Sequence, residues 1–357
     1  MGRYKNGIPI EIFLPLGVMG FQTHRDHFAV AETRNEILSR CRSLRNEQLT
    51  DEEISQTFSL KNNRDWKLSK ARKTIQNDEN WESAISLSAY RPLDNRNCYL
   101  SYVAMDYPRT ELIQHGLNKD NIFLGVGRQG LAVGGNEWCL ITCSNFAMDA
   151  NIFRRGGVRA APLYLYPDEQ DLDQTRRVNF DPKLWQQLKA RAAHPRFGTP
   201  DEVQTFDYIY GVLHCPAYRD TYAEFLKIDF PRIPWPATPD EFWDISAKGS
   251  ELRKLHLMDP ATVGRAPYGF KGEGDGTVDK PRYEDGKVWI NATQYFDAAP
   301  PVSWTFYIGG YQPAQKWLKD RKGRQLSFED VKHYQSILKI LSETDRIMQT
   351  ITMELGN

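Results

Sequence analysis

Cysteine is scarce in this chain: five residues, at 41, 98, 139, 143 and 215, odd in number and scattered. Such a set does not build a disulfide framework, and it fits a reducing, cytoplasmic compartment. Cys139 and Cys143 lie four apart, but no second Cys or His pair completes a zinc set, so they read as core thiols. No run approaches the ~20 apolar residues of a membrane span, and no charged-then-apolar leader opens the chain, so no membrane partner is expected. Net charge is missing too, with 46 basic residues against 46 acidic ones. A nucleic-acid binder with that balance must gather its cations on one face. Catalytic signatures are equally thin. There is no G-x-S-x-G elbow and no Asp/Asn-Pro-Pro-aromatic tetrapeptide of the kind that cups an exocyclic amino group.

The weaker matches have plain explanations. Gly125, Gly127 and Gly130 space as G-x-G-x-x-G, but strand-like sequence follows where a dinucleotide site needs a helix, so a glycine-rich turn is the better reading. Asp168, Asp181 and Lys183 mimic the carboxylate and lysine set of a metal-dependent nuclease. Pro182 sits where its second strand would run, which favours an acidic surface loop and leaves the nuclease as an alternative. His24 and His27 lack a third ligand and read as solvated or locally bonded side chains.

What the 357 residues do contain is enough apolar sequence for two lobes. Residues 1–30 read as strand and turn. Residues 32–58 are helix-prone, with Thr50 opening a helix. From 81 to 165, short β-prone runs alternate with Gly, Asn and Asp. Residues 208–226 carry apolar side chains at helical spacing, broken at Pro216. Prolines 231, 234 and 236 then make 228–236 an extended strap whose backbone need not pair. One amphipathic helix is expected over 239–259. A hairpin follows, with strands near 277–278 and 288–290 and Asp285-Gly286 in its turn. A long closing helix is capped by Ser327 and Asp330. The fold class is α+β: a mixed, mostly β recognition lobe plus a helical C-terminal lobe.

Two features point to nucleic acid. Residues 61–73 carry six cations against one acid, and Lys67, Lys70, Arg72 and Lys73 could face a phosphate strand together; a solvated helix face is the plain alternative. Arg321, Lys322 and Arg324 form a second basic knot. The loops of the β-rich region present Arg91, Arg96, Arg128, Gln129, Asn145, Arg154 and Arg155. Arg can bridge guanine O6 and N7, and Asn or Gln can pair with adenine, so these are the candidate base readers.

Four stretches carry a family resemblance. FDYIYGVLHCPAYRDTYAEFLKIDFPRIPWP and the closing VWINATQYF…PPVSWTFYIGGYQPAQKWLKDRKGRQLSFEDVKHYQSILKILSETDRIM are specific rather than compositional. With AYRPLDNRNCYL and LPLGVMGFQTHRDHFAV, they closely resemble the C-terminal target-recognition (specificity) region of type ISP restriction-modification enzymes and related adenine-specific DNA methyltransferases. The resemblance implies residues 1–80 as a connector from a methyltransferase-type core, 81–236 as a target-recognition lobe and 237–357 as a C-terminal specificity lobe. It also implies double-stranded DNA as partner, beside the methyltransferase and helicase-nuclease portion of the same system. S-adenosylmethionine, ATP and Mg would belong to those other portions, expected before residue 1. This chain itself would carry no cofactor, no metal and no catalytic residue. The competing expectation is a protein-interaction module of a defence complex without direct DNA contact.

Overall fold

The computed structural model describes residues 2–128, 137–155, 157–168 and 170–355. Helices and antiparallel sheets pack around two apolar cores, an α+β architecture. The smaller core is built by residues between 21 and 113, joined by Ala147. Thr33 and Thr50 each close a capping box, with Glu36 and Glu53, and so start the helices Arg34–Arg45 and Asp51–Phe58. These helices, with Leu68–Asn77, lie over a three-stranded sheet whose middle strand, Asp94–Tyr99, pairs with Val30–Ala31 and Ile85–Arg91.

The larger core begins at a four-stranded antiparallel sheet, in the order Val18–Met19, Arg159–Pro162, Phe123–Val126, Ile141–Ser144. The last two strands are buried at every position, as runs of apolar residues between turn signals require. Against the sheet lie the helices Glu202–His214 and Pro239–His256. They approach unusually closely, because a Cβ on Gly249 would stand 1.8 Å from Asp207 O and one on Gly211 2.6 Å from Ile245 O. The helix Phe328–Met348, started by the Ser327–Asp330 capping box, packs against Pro239–His256 and Pro301–Thr305.

A polar chain runs through this apolar packing. Thr344 Oγ1 donates to Ile340 O (2.7 Å) and lies 2.9 Å from His256 Nε2. His256 Nε2–H must therefore be the donor there, which leaves Nδ1 to accept from Tyr210 OH (2.5 Å). All three residues are buried, so each polar atom needs these partners.

Three expectations need correction. Residues 1–30 contain helical turns at Gly2–Lys5, Ile10–Phe13 and Asp26–Ala29 between two-residue strands, because Pro9, Pro15, Gly17 and Gly20 cut every extended run short. The proline strap does pair: Arg232 and Ile233 sit opposite Pro9 and Ile8. The prolines at 231 and 234 have no N–H to give, but the two residues between them do. Tyr208 and Tyr218 hydroxyls donate to Pro234 O and Arg232 O, and Trp235 Nε1 donates to Asn6 O, so the strap ties the N-terminal segment to the helical hairpin. The hairpin turn at Asp285-Gly286 is as expected, but its first strand is Arg282–Glu284. Thr277 and Val278 instead pair toward Gln325 and Arg324.

Candidate nucleic-acid interface

The strands Ile85–Arg91 and Asp94–Tyr99 are joined by a tight turn in which Leu93 takes a left-handed backbone (φ 61°). That turn sets Arg91, Asp94 and Arg96 side by side. Two guanidinium groups lie over the Tyr90 ring, Arg91 at 3.9 Å and Arg96 at 4.6 Å from its centroid. The Arg96 side chain is only 14% exposed and is fixed by Asp94 Oδ2, which accepts from Nε (3.1 Å) and Nη2 (2.8 Å); Asp320 lies 3.7 Å away. The Asp94 bond takes the Nε–Nη2 edge of the fork and fixes its orientation, which leaves the Nη1 group as the part that can meet a ligand. Asn95 and Asn145 are exposed and line one shallow depression with Arg91.

The acids behind this face are as informative as the cations. Burial alone would push the Asp94 carboxyl up, but Arg321 and Arg96 override it and hold the group below the usual carboxylate range. Asp149 goes the other way. Burial pushes it up to about 6 in spite of Arg91, whose Nη1 donates to its Oδ1 (3.1 Å). Arg321 is buried, donates to Asp94 Oδ1 (3.0 Å) and to Trp317 O (3.2 Å), and lies over the Trp317 ring. Glu32 adds a carboxylate for Arg321 and, more tightly, for Arg324. Tyr311 stands in the field of Arg91, Asp149, Asp320 and Arg154.

The candidate residues therefore divide. Arg91 and Asn145 share the depression at the turn that also carries Arg96, and Arg91 and Arg154 both act on Tyr311. Arg154 and Arg155 are exposed, the latter in a left-handed turn (φ 59°). Arg128 is exposed as well but lies over the Phe230 ring of the strap (5.3 Å), apart from the readout turn; Gln129 lies outside the described residues. On the helix Leu68–Asn77, Lys70 and Lys73 are exposed, and Lys67 just precedes it. Arg72 points inward, its guanidinium occupied by Leu44 O, Asn46 O, Leu49 O and Asp51 Oδ1. Arg72, Arg91 and Arg321 thus hold the fold, while Lys322 and Arg324 remain at the surface. The basic loop before the helix is pinned by Asp106, which takes Asn63 Nδ2 (2.8 Å), Arg25 Nη2 (2.6 Å) and the His24 ring (2.6 Å).

Sequence reading missed the carboxylates Glu32, Asp94, Asp149 and Asp320. Only Asp94, two residues before Arg96, gave a local sign. His24 and His27 are bonded, but to distant rather than local groups: Asp106, 82 positions on, and Phe58 O (2.9 Å), 31 positions on. Asp181 caps the helix Pro182–Ala192 by accepting from Lys183 N and Leu184 N, which accounts for the nuclease-like spacing. Among the described residues no cluster of three or more His, Cys, Asp or Glu could hold a metal ion, and no helix is long and apolar enough to cross a membrane.

Comparison with solved structures shows the same fold within three longer chains. The ATP-dependent Type ISP restriction-modification enzyme LlaBIII bound to DNA matches with a TM-score of 0.73 at 16% identity, over 97% of this chain and 24% of that one. The DrdV–DNA complex, determined by cryo-EM, gives 0.70 at 19% identity, over 97% and 36%. A nuclease-deletion mutant of the Type ISP enzyme LlaGI with a DNA substrate mimic gives 0.67 at 17%, over 100% and 35%. This chain thus spans roughly a quarter to a third of the chains it matches. No curated protein matches it. At the sequence level, residues 11–350 match the Type ISP C-terminal specificity domain, and the chain belongs to that family.

Proposed function

We propose that this chain recognises a short sequence in double-stranded DNA as the target-recognition region of a cytoplasmic restriction-modification system, and that methylation of an adenine and cleavage are carried out by other portions of that system. The observation that carries this reading is the turn at residues 90–96, where Arg96 is held by Asp94 and stacked on Tyr90, and where Asn95 shares a depression with Arg91 and Asn145. Membership of a specificity-domain family, and the DNA present in the similar solved structures, support it. Base reading falls to Arg96, Asn145, Arg154 and Arg155, with Arg128 and Gln129 on a separate loop. Phosphate anchoring falls to Lys67, Lys70, Lys73, Lys322 and Arg324. Arg72, Arg91 and Arg321 support these groups from within. The chain supplies recognition alone and needs no cofactor for it.

The test is selection from a randomised duplex library at moderate salt, with the chain alone and with its methyltransferase portion. Enrichment of one short motif is expected. Retention of duplexes without any enriched motif would refute sequence recognition, and salt-insensitive partner binding without DNA affinity would favour a protein-interaction module.

A further inference from the structure

A second hollow lies beside the readout turn. The helix Pro239–His256 ends at Leu257, and Met258 turns the chain away with φ 58°. Leu257 lines the depression shared by Asn95 and Asn145, whereas Met258 lines a separate recess. The helix Phe328–Met348 repeats this arrangement. His333 donates to Leu93 O (2.9 Å) at the readout turn, and its neighbour Lys332 lines the recess. The two hollows are thus linked through the chain neighbours Leu257–Met258 and Lys332–His333.

The recess measures about 640 Å³ and is walled by Pro260 and Val263, with Arg265, Lys332 and Gln335 among its polar lining. No carboxylate lines it. Arg265 is exposed and enters no ion pair among the described residues. Lys332 has a loose pair with exposed Glu329 at 3.7 Å. Lys339 is held at the edge, donating to Arg265 O (3.1 Å). In a chain of zero net charge whose other arginines at this end, Arg321 and Arg324, are paired, an unpaired arginine beside two lysines marks a locally positive surface.

We infer that this recess receives the sugar–phosphate backbone of the bound duplex outside the bases that are read, with Arg265 as the principal contact and Lys332 and Lys339 flanking it. The inference rests on the proposed DNA recognition and extends it to a second surface. A recess this wide admits a backbone segment with bridging water, and among the described residues that line it no carboxylate competes with a phosphate.

The experiment uses the selected duplex in two lengths, one trimmed to the enriched motif and one extended by about one helical turn on each side. Arg265→Gln is expected to weaken binding of the extended duplex several-fold and to lower its salt slope by about one, with the trimmed duplex unaffected. Arg265→Lys should retain most of the binding. If the wild-type chain prefers the enriched motif while R265Q binds both lengths as wild type does, the inference fails and the proposed function stands. An equal loss on both lengths at unchanged melting temperature also overturns it, since the contact would then lie within the read site. If the wild-type chain enriches no motif, the proposed function and this inference fall together.

Discussion

Asp94 and Arg321 stand 227 positions apart in the chain and 3.0 Å apart in space, both buried, with Arg96 bonded to the same carboxylate. One acid thus fixes the candidate reader and joins the turn at residues 91–94 to the C-terminal part of the chain.

Asp94→Asn keeps the shape but leaves Arg321 and Arg96 without their shared charge. Breaking a buried pair in this way costs about 3 kcal/mol or more. Urea unfolding should show a loss of that size. A change below about 0.5 kcal/mol, typical of an ordinary surface substitution, would show that the pair does not hold the fold.

Lys70 and Arg72 are two residues apart and should behave oppositely. Lys70→Ala, at an exposed position, should leave the melting temperature unchanged and reduce the salt slope of DNA binding by about one. Arg72→Ala strips donors from three carbonyls and Asp51, and should destabilise by about 2 kcal/mol or more. A stability loss at Lys70, or none at Arg72, would contradict the placement.

Arg96→Ala should reduce affinity by about 1–3 kcal/mol for the preferred base at one position and relax selectivity there. Competition among duplexes varied at single positions measures this. Uniform weakening across all of them would make Arg96 a phosphate contact.

Acid should destabilise the fold through His256. Burial lowers its pKa to about 3, whereas an unfolded histidine titrates near ~6.5. Between those values the unfolded chain holds the extra proton, so stability is complete above about 6.5 and falls as pH drops through the window. The slope is about 1.4 kcal/mol per pH unit for one group. His214, also shifted down by burial, acts in the same direction. Unfolding midpoints between pH 7 and pH 5 should fall accordingly, and His256→Gln, which can keep both hydrogen bonds, should flatten the curve by one group's share. An unchanged slope in that variant would assign the acid sensitivity elsewhere.

Two glycines separate steric crowding from backbone strain. Gly249→Ala drives a methyl to 1.8 Å from Asp207 O and should cost about 3 kcal/mol as the helices separate. Gly286→Ala meets nothing within 4 Å and bears only its left-handed backbone (φ 73°), a cost of about 1 kcal/mol. Thermal melts of the two variants should rank in that order.

Local order was legible in the sequence because its causes are local. The capping residues Thr50 and Ser327 start the expected helices, Pro216 divides the helical hairpin where its ring forces a break, and Asp285-Gly286 makes the expected turn. The family too was carried by contiguous residues. Which cations are free was not legible, because that depends on carboxylates and carbonyls brought from far along the chain. Arg72 and Lys70 look alike in sequence, yet one turns into the carbonyls around Asn46 and the other faces water. Arg321 looks like a surface cation until Asp94 arrives to neutralise it. Periodicity and composition fix what a segment can form with its neighbours; burial and charge pairing follow from long-range packing, and here that packing separates the arginines that hold the fold from those left to meet a ligand.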